Sequence, residues 1–216
     1  MKTAKTSLPD SDTVCRLLMA LAPPYDVMAW LMVETAARVH DVQALRIGDL
    51  RPESRVLKLP GECGVRDVVL SEGLADALNR FREDLLRPAF AWLERENRRN
   101  AKRGPGRFAA QRFFPAWLLD GNGTDDPDVP ISTEDATVAW RAAAKSVGYY
   151  GPIHSNTLRL FAAKARWEQG SSIQELHDML GHRDLMTTLL LVQSLDERGL
   201  RFAGAPSHSD GIAHAA

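Results

Sequence analysis

Two short runs rich in apolar and β-branched residues, Arg55-Val56-Leu57-Lys58-Leu59 and Arg66-Asp67-Val68-Val69-Leu70, constrain this chain most. The turn-like segment Pro60-Gly61-Glu62-Cys63-Gly64 joins them, so they read as one antiparallel β-hairpin with a glycine-containing loop. The patterned sequence on either side reads as helix. Thr13 to Ala22 and Tyr25 to Leu45 form two helices separated by the breaker Pro23-Pro24, and the apolar crowd from Val27 to Val33 marks the second as a core helix. Ser71 caps a helix running to about Leu86, and Ser132 or Thr133 starts another that passes Trp140 and reaches Val147. The run Leu158 to Gly170 is a helix stopped by its glycine. Ser172 and Glu175 have capping-box spacing, and the short helix they open ends at Gly181. Asp184 caps a last helix through Leu189-Leu190-Leu191-Val192. The expected fold is α+β, mostly helical, with a small antiparallel sheet.

The 216 residues, 44% hydrophobic and 25% charged, suit a soluble globular chain with a sizeable core. The expected organisation is a flexible tail over 1–12, one domain over 13–202 and a disordered tail over 203–216. Cys15 and Cys63 make neither a disulfide framework nor a metal-ligand pair. His177 and His182 flank a helix end, which does not suit a shared metal, so neither metal nor cofactor is expected. The N-terminus lacks the apolar run of a signal peptide, and Val27 to Val33 is too short to span a membrane. Cytoplasmic residence without membrane contact is the expectation.

A net charge of -1 does not announce a nucleic-acid partner, so the distribution of charge has to. Residues 94–112 hold Arg95, Arg98, Arg99, Lys102, Arg103, Arg107 and Arg112 against Glu94 and Glu96. Arg98, Arg99, Lys102 and Arg103 are the candidate DNA-backbone contacts; a solvated basic face is the competing reading. The stretch from Asp120 to Asp128 is acidic, rich in Gly and Pro, and reads as a loop.

Three segments carry a resemblance. Thr35 to Leu50 contains Arg38, with Asp41 three residues later and Asp49 just before the hairpin. Asn156-Thr157-Leu158-Arg159-Leu160-Phe161-Ala162 follows, and then Ile173 to Thr188 with Leu180-Gly181-His182. In this order the segments resemble the arginine, HxLRHTFA and LGH motifs of the tyrosine recombinase (phage integrase) family, over roughly residues 13–195. The resemblance implies that family's catalytic-domain fold and a role in DNA recombination or integration. It implies that Arg38 and Arg159 are the two phosphate-binding arginines and that His182 is the LGH histidine. The family's N-terminal DNA-clamping domain is not expected, because the first motif already begins at Thr35.

The departures fall on one half of that chemistry. Asn156 stands at the family's box histidine, and Leu160 at the histidine after the second arginine. The hairpin lysine should sit near Gly61; Lys58, on the preceding strand, is a poor substitute. The nucleophilic tyrosine should follow His182 by nine residues, where Leu191 stands, and no tyrosine occurs after Tyr150. Guanidinium forks hold phosphate oxygens bidentately and stay charged. Leucine cannot attack phosphorus, and asparagine cannot trade protons near neutral pH. The expectation is therefore DNA binding without strand cleavage by this chain alone.

Two other functions stay open: a recombinase subunit that receives its tyrosine in trans from a full-length tyrosine recombinase, and a protein-interaction module that kept the fold. At residue level, Arg38 and Arg159 could be ordinary ion-paired arginines, and His182 could serve only backbone groups. His154, Tyr149 and Tyr150 read as surface or packing residues rather than relocated catalysts.

Overall fold

The computed structural model describes residues 8–96, 112–115 and 129–196. Helix α1, Ser11–Ala20, opens two residues before Thr13, because Asp10 accepts a bond from the Thr13 N–H at 2.8 Å and caps it. It buries Val14 and Leu17, the latter in one cluster with residues of α2, Tyr25–Thr35. Helix α2 is the axis of the molecule. Met28, Ala29, Leu31 and Met32 are fully buried, and neighbours pack on several of its sides, which its nearly unbroken apolar sequence demands.

The expected continuous helix from Tyr25 to Leu45 is not formed. The chain breaks at Ala36, which adopts a left-handed conformation (φ 53°, ψ 25°), and restarts as α3, Val39–Ala44. The Thr35 hydroxyl donates to the Leu31 carbonyl at 2.7 Å and accepts from the Ala37 N–H at 3.3 Å, diverting that amide from the helical ladder. Arg38 then takes an extended conformation as the N-cap of α3, and its N–H donates to the Asp41 carboxylate at 3.2 Å.

A three-stranded antiparallel sheet follows, in the order β1 (Leu50–Arg51), β2 (Val56–Gly61), β3 (Gly64–Val69). The hairpin is tighter than its sequence suggests: the strands run on until Gly61 pairs with Gly64, leaving only Glu62 and Cys63 in the turn. Gly64, at φ 108°, supplies the positive-φ residue there. Leu57 and Leu59 face the core, Lys58 faces the other way opposite Asp67, and Arg66 stands across from Leu59 on the core side. Strand β1 is too short to have a readable pattern.

Helix α4, Glu72–Glu96, starts where Ser71 Oγ accepts from the Leu74 N–H at 3.3 Å. It passes Pro88 and outruns the expected end near Leu86, since a proline removes one ladder bond without having to stop a helix. Its Phe81 stacks on Phe113 and Phe114, with ring centroids 6.1 and 5.5 Å away. Those two rings belong to a short segment pinned by the Phe113 N–H on the Leu45 carbonyl at 2.9 Å.

The last four helices follow their sequence signals closely. Helix α5, Thr133–Ser146, is capped by Ser132 and buries Trp140, whose ring N–H donates to the Tyr25 carbonyl at 3.1 Å. Helix α6, Ser155–Glu168, is capped by His154 and ends before Gly170 at φ 88°. The Ser172–Glu175 capping box opens α7, Ile173–Leu180, and Gly181 closes it in the left-handed region. Asp184 accepts from the Met186 N–H at 2.7 Å and opens α8, Leu185–Asp196. A large core centres on α2. A second cluster joins Ala36, Ala162, Ala163, Leu176, Leu180, Val192 and Leu195.

The break at Ala36 gives a direct test. Ala36→Val should destabilise the chain by at least about 2 kcal/mol. The left-handed region costs an ordinary residue roughly 1–2 kcal/mol and a β-branched one more, and the site has no spare volume. The urea midpoint measures this; an unchanged midpoint would mean that the turn tolerates a β-branched residue.

Candidate functional site

The residues singled out by sequence lie at ends and breaks of helices, and three of them meet. Arg159, on the second turn of α6, is 7% exposed. Its Nη1 donates to the Ala36 carbonyl at 2.9 Å and its Nη2 to the Leu180 carbonyl at 2.7 Å. Both acceptors are carbonyls beside left-handed breaks, one after α2 and one at the end of α7. A guanidinium has five N–H donors, and these two bonds use two of them.

Arg38 projects from the start of α3, and its Nη1 pairs with Glu62 Oε1 at the hairpin tip, 2.9 Å away. The charges of Arg38, Arg66, Asp41 and Glu62 all act on Arg159, and those of Arg159, Arg38 and Glu62 act on His182. The two expected arginines and His182 thus share one electrostatic neighbourhood. Burial, reinforced by Arg38, lowers the Arg159 guanidinium to about 10, still charged at neutral pH.

His182 follows Gly181, and its Nδ1 lies 2.9 Å from the Thr188 hydroxyl. His177 Nδ1 lies 3.2 Å from the same buried hydroxyl. A hydroxyl has one proton, so it donates to at most one ring, and the other ring must supply its own Nδ1–H for a second bond. Burial first, then the charges of Arg159 and Arg38, push the His182 imidazole down to about 4. It is therefore neutral at physiological pH and adds no charge to the cluster.

The remaining candidates sit as follows. Asn156 is exposed on the first turn of α6. Leu191 is half-buried on α8 and packs against the second apolar cluster. Lys58 points from the sheet face opposite Arg66. Gly61, at the expected lysine position, has no positive φ; Gly64 does. Tyr149 packs on the large core, where burial raises its phenol above the ordinary value, and Tyr150 is exposed. His154 is a helix cap, its Nδ1 accepting from the Thr157 N–H at 3.3 Å.

Of the basic stretch, Arg112 is anchored by a bond from Nη1 to the Gln43 carbonyl at 2.9 Å. Arg98, Arg99, Lys102 and Arg103 lie outside the described residues. Among the described residues no group of three or more His, Cys, Asp or Glu is placed to hold a metal. No described helix is long and apolar enough to cross a membrane.

Two further residues neighbour the site: Glu62, and Arg66, which opens the Arg66–Leu70 run that resembles the family's KxRxVPL strand. Glu62 is a turn residue, and nothing in the sequence marks it. Arg66 does leave a signal: it occupies the face of β3 that also carries Val68 and Leu70, an odd place for a charge.

The phage integrase family model matches residues 10–198. Curated proteins called integrase/recombinase, from Escherichia coli and from Pseudomonas aeruginosa, are each 27% identical over 219 residues, covering 93% of this chain and 63% of the relative. Tyrosine recombinase XerD of Mycobacterium leprae (strain TN) is 26% identical over 172 residues, covering 77% of this chain and 48% of the relative. The chain thus spans less than two thirds of the length of these relatives. Among solved structures, XerA recombinase matches with a TM-score of 0.60 at 17% identity, covering 91% of this chain and 63% of that one. A lambda integrase dimer bound to a COC' core site matches with a TM-score of 0.59 at 15% identity, covering 95% and 64%. At such identities the likeness establishes the fold: a tyrosine recombinase catalytic domain.

The depressed His182 fixes the sign of a pH effect. The unfolded chain takes up this proton near pH 6.5, whereas the folded chain refuses it until about 4. The stability tied to neutral His182 is complete above about pH 6.5 and is lost as pH falls towards 4. The urea midpoint of the wild type should drop between pH 7 and pH 5, and His182→Gln should drop less. Equal drops would place the titration elsewhere.

Proposed function

Because this chain belongs to the phage integrase family, we propose that it binds DNA, holds a backbone phosphate at Arg38, Arg159 and His182, and does not cut the strand by itself. The observation that carries this reading is the electrostatic neighbourhood that Arg38 and Arg159 share with His182, set against Leu191. Nine residues beyond His182, where the chemistry needs a hydroxyl, an alkyl side chain packs into an apolar cluster. The proton-transfer groups are missing on the same side of the ledger. Asn156 cannot act as an acid or base, and Lys58 faces away from the Arg66 side of the sheet.

A phosphodiester suits the site because it is a singly charged, acceptor-only group, and guanidinium N–H donors are what it requires. The DNA-bound lambda integrase that shares the fold supports the choice of ligand. Glu62 sits on Arg38 in the free chain and must yield to the phosphate. Arg98, Arg99, Lys102 and Arg103 supply further backbone contacts in this reading.

One observation favours a second reading. Leu185, Met186 and Leu190 expose apolar side chains along α8. Such a surface suits contact with another subunit, which could lend a tyrosine. Strand cleavage that appears only when a tyrosine-bearing recombinase is added, and that depends on Arg159 of this chain, would favour that arrangement.

Two measurements test the leading reading. On a nicked suicide duplex the chain should bind yet leave no covalent protein–DNA band under denaturing conditions. A covalent band abolished by Tyr149→Phe or Tyr150→Phe would overturn it. Glu62→Gln should tighten duplex binding about two- to fivefold, the scale of a partly exposed ion pair. The gain should vanish in an Arg38→Ala background; a gain that persists there would reflect general repulsion between Glu62 and DNA.

A further inference from the structure

We propose that Arg66 is a third guanidinium of the phosphate site, half-buried beside the hairpin tip in the free chain and engaged when DNA binds. This rests on the DNA-binding reading above and names an additional residue for it. Arg66 lies on the core-facing side of β3, across from Leu59. Its head group passes between the hairpin and the end of α7. It lies so close over Gly181 that any side chain there would collide with Nη1.

Among the described residues, Nε and Nη2 of Arg66 are buried without a hydrogen-bond partner. Leaving a buried donor unpaired is costly, and more so when the group is charged. The charge itself is poorly compensated. Burial is the largest influence lowering its proton affinity, and Arg38 adds like-charge repulsion, with Asp41 the main opposing attraction. Asp41 already accepts the Arg38 N–H, and Glu62 is engaged with the Arg38 guanidinium. Among the described residues, Asp41 and Glu62 are the carboxylates that act on Arg159, and Asp178 shares a cavity wall with Arg66, while His182 stays neutral. No anion is bonded to the two orphaned N–H groups.

A phosphodiester supplies an anion together with oxygen acceptors for the orphaned N–H groups. It has a path as well. Arg66 lines a cavity of about 340 Å³ together with Cys63, His177, Asp178, Gly181, His182 and Arg183. The Arg38–Glu62 pair holds the hairpin tip over this region, so displacing Glu62 from Arg38 also loosens the cover above Arg66.

A purely structural arginine and a ligand-binding one respond oppositely to loss of charge, which makes the test sharp. The full chain, Arg66→Met and Arg66→Lys would be compared by thermal melting without DNA and by binding to a random-sequence duplex across a salt series. Methionine keeps much of the stem's packing and removes the unpaired charge. Arg66→Met should melt at or above the wild-type temperature, bind DNA about ten- to a hundredfold more weakly, and flatten the slope of log K against log salt by about 0.9. Arg66→Lys should recover most of the slope. If Arg66→Met melts lower or fails to fold while Arg66→Lys binds DNA as the wild type does, Arg66 is a strut for the end of α7 and the inference fails. A wild type that binds the duplex and an Arg66→Met variant that binds equally well would sink this inference alone. A wild type without salt-dependent duplex binding would sink the DNA-binding reading and this inference with it.

Discussion

One guanidinium holds two helix ends together, and the site exists because it does. Helix α2 ends at Ala36 and α7 ends at Gly181, each in the left-handed region, and each such ending leaves carbonyls without helical partners. Arg159 reaches both, donating to Ala36 at 2.9 Å and to Leu180 at 2.7 Å from a position almost sealed from water. Arg38 lies two residues beyond the first carbonyl and His182 two beyond the second. Clamping the carbonyls therefore brings both candidate side chains into the electrostatic neighbourhood of Arg159. The second apolar cluster, with Ala36 and Leu180 among its members, packs behind this junction and keeps it dry.

The same arrangement concentrates positive charge in a region of reduced solvation. Its effect is visible in two places: Arg159 is lowered to about 10, and His182 to about 4, each chiefly by burial and next by neighbouring guanidinium groups. Folding tolerates this because the hydrophobic clusters stabilise the scaffold independently of the charges. Titratable groups displaced this way collect where a ligand of opposite charge is to be received. The hairpin contributes to the balance from the other side: its tip brings Glu62 onto Arg38, while its core face carries Arg66.

How much of this could be read beforehand depended on the range of the interaction involved. The caps at Ser71, Ser132, Ser172 and Asp184, and the glycine stops at Gly170 and Gly181, all stand in the structure as their local chemistry requires. The hairpin formed from the two runs that announced it. The misreadings were also local in origin. An unbroken apolar pattern hid the break at Ala36, because Ala is a strong helix former and the deciding bonds come from Thr35 and from Arg159, more than a hundred residues away. Helix α4 runs beyond its expected end near Leu86 and continues through Pro88.

The sequence by itself determined the order of elements, which follows from residue type, period and spacing and needs no partner. Its family resemblance singled out Arg38, Arg159 and His182 as candidates and put Leu191 where the family keeps a hydroxyl. Only the tertiary structure decided which nitrogens are already bonded, that Glu62 occupies Arg38, and that Arg66 turns inward with two donors unpaired. The physical reason is that a charge's role depends on its solvation and on neighbours brought close by folding. The hairpin register and the clamp at Arg159 set both, and neither is written in the order of the residues that feel them.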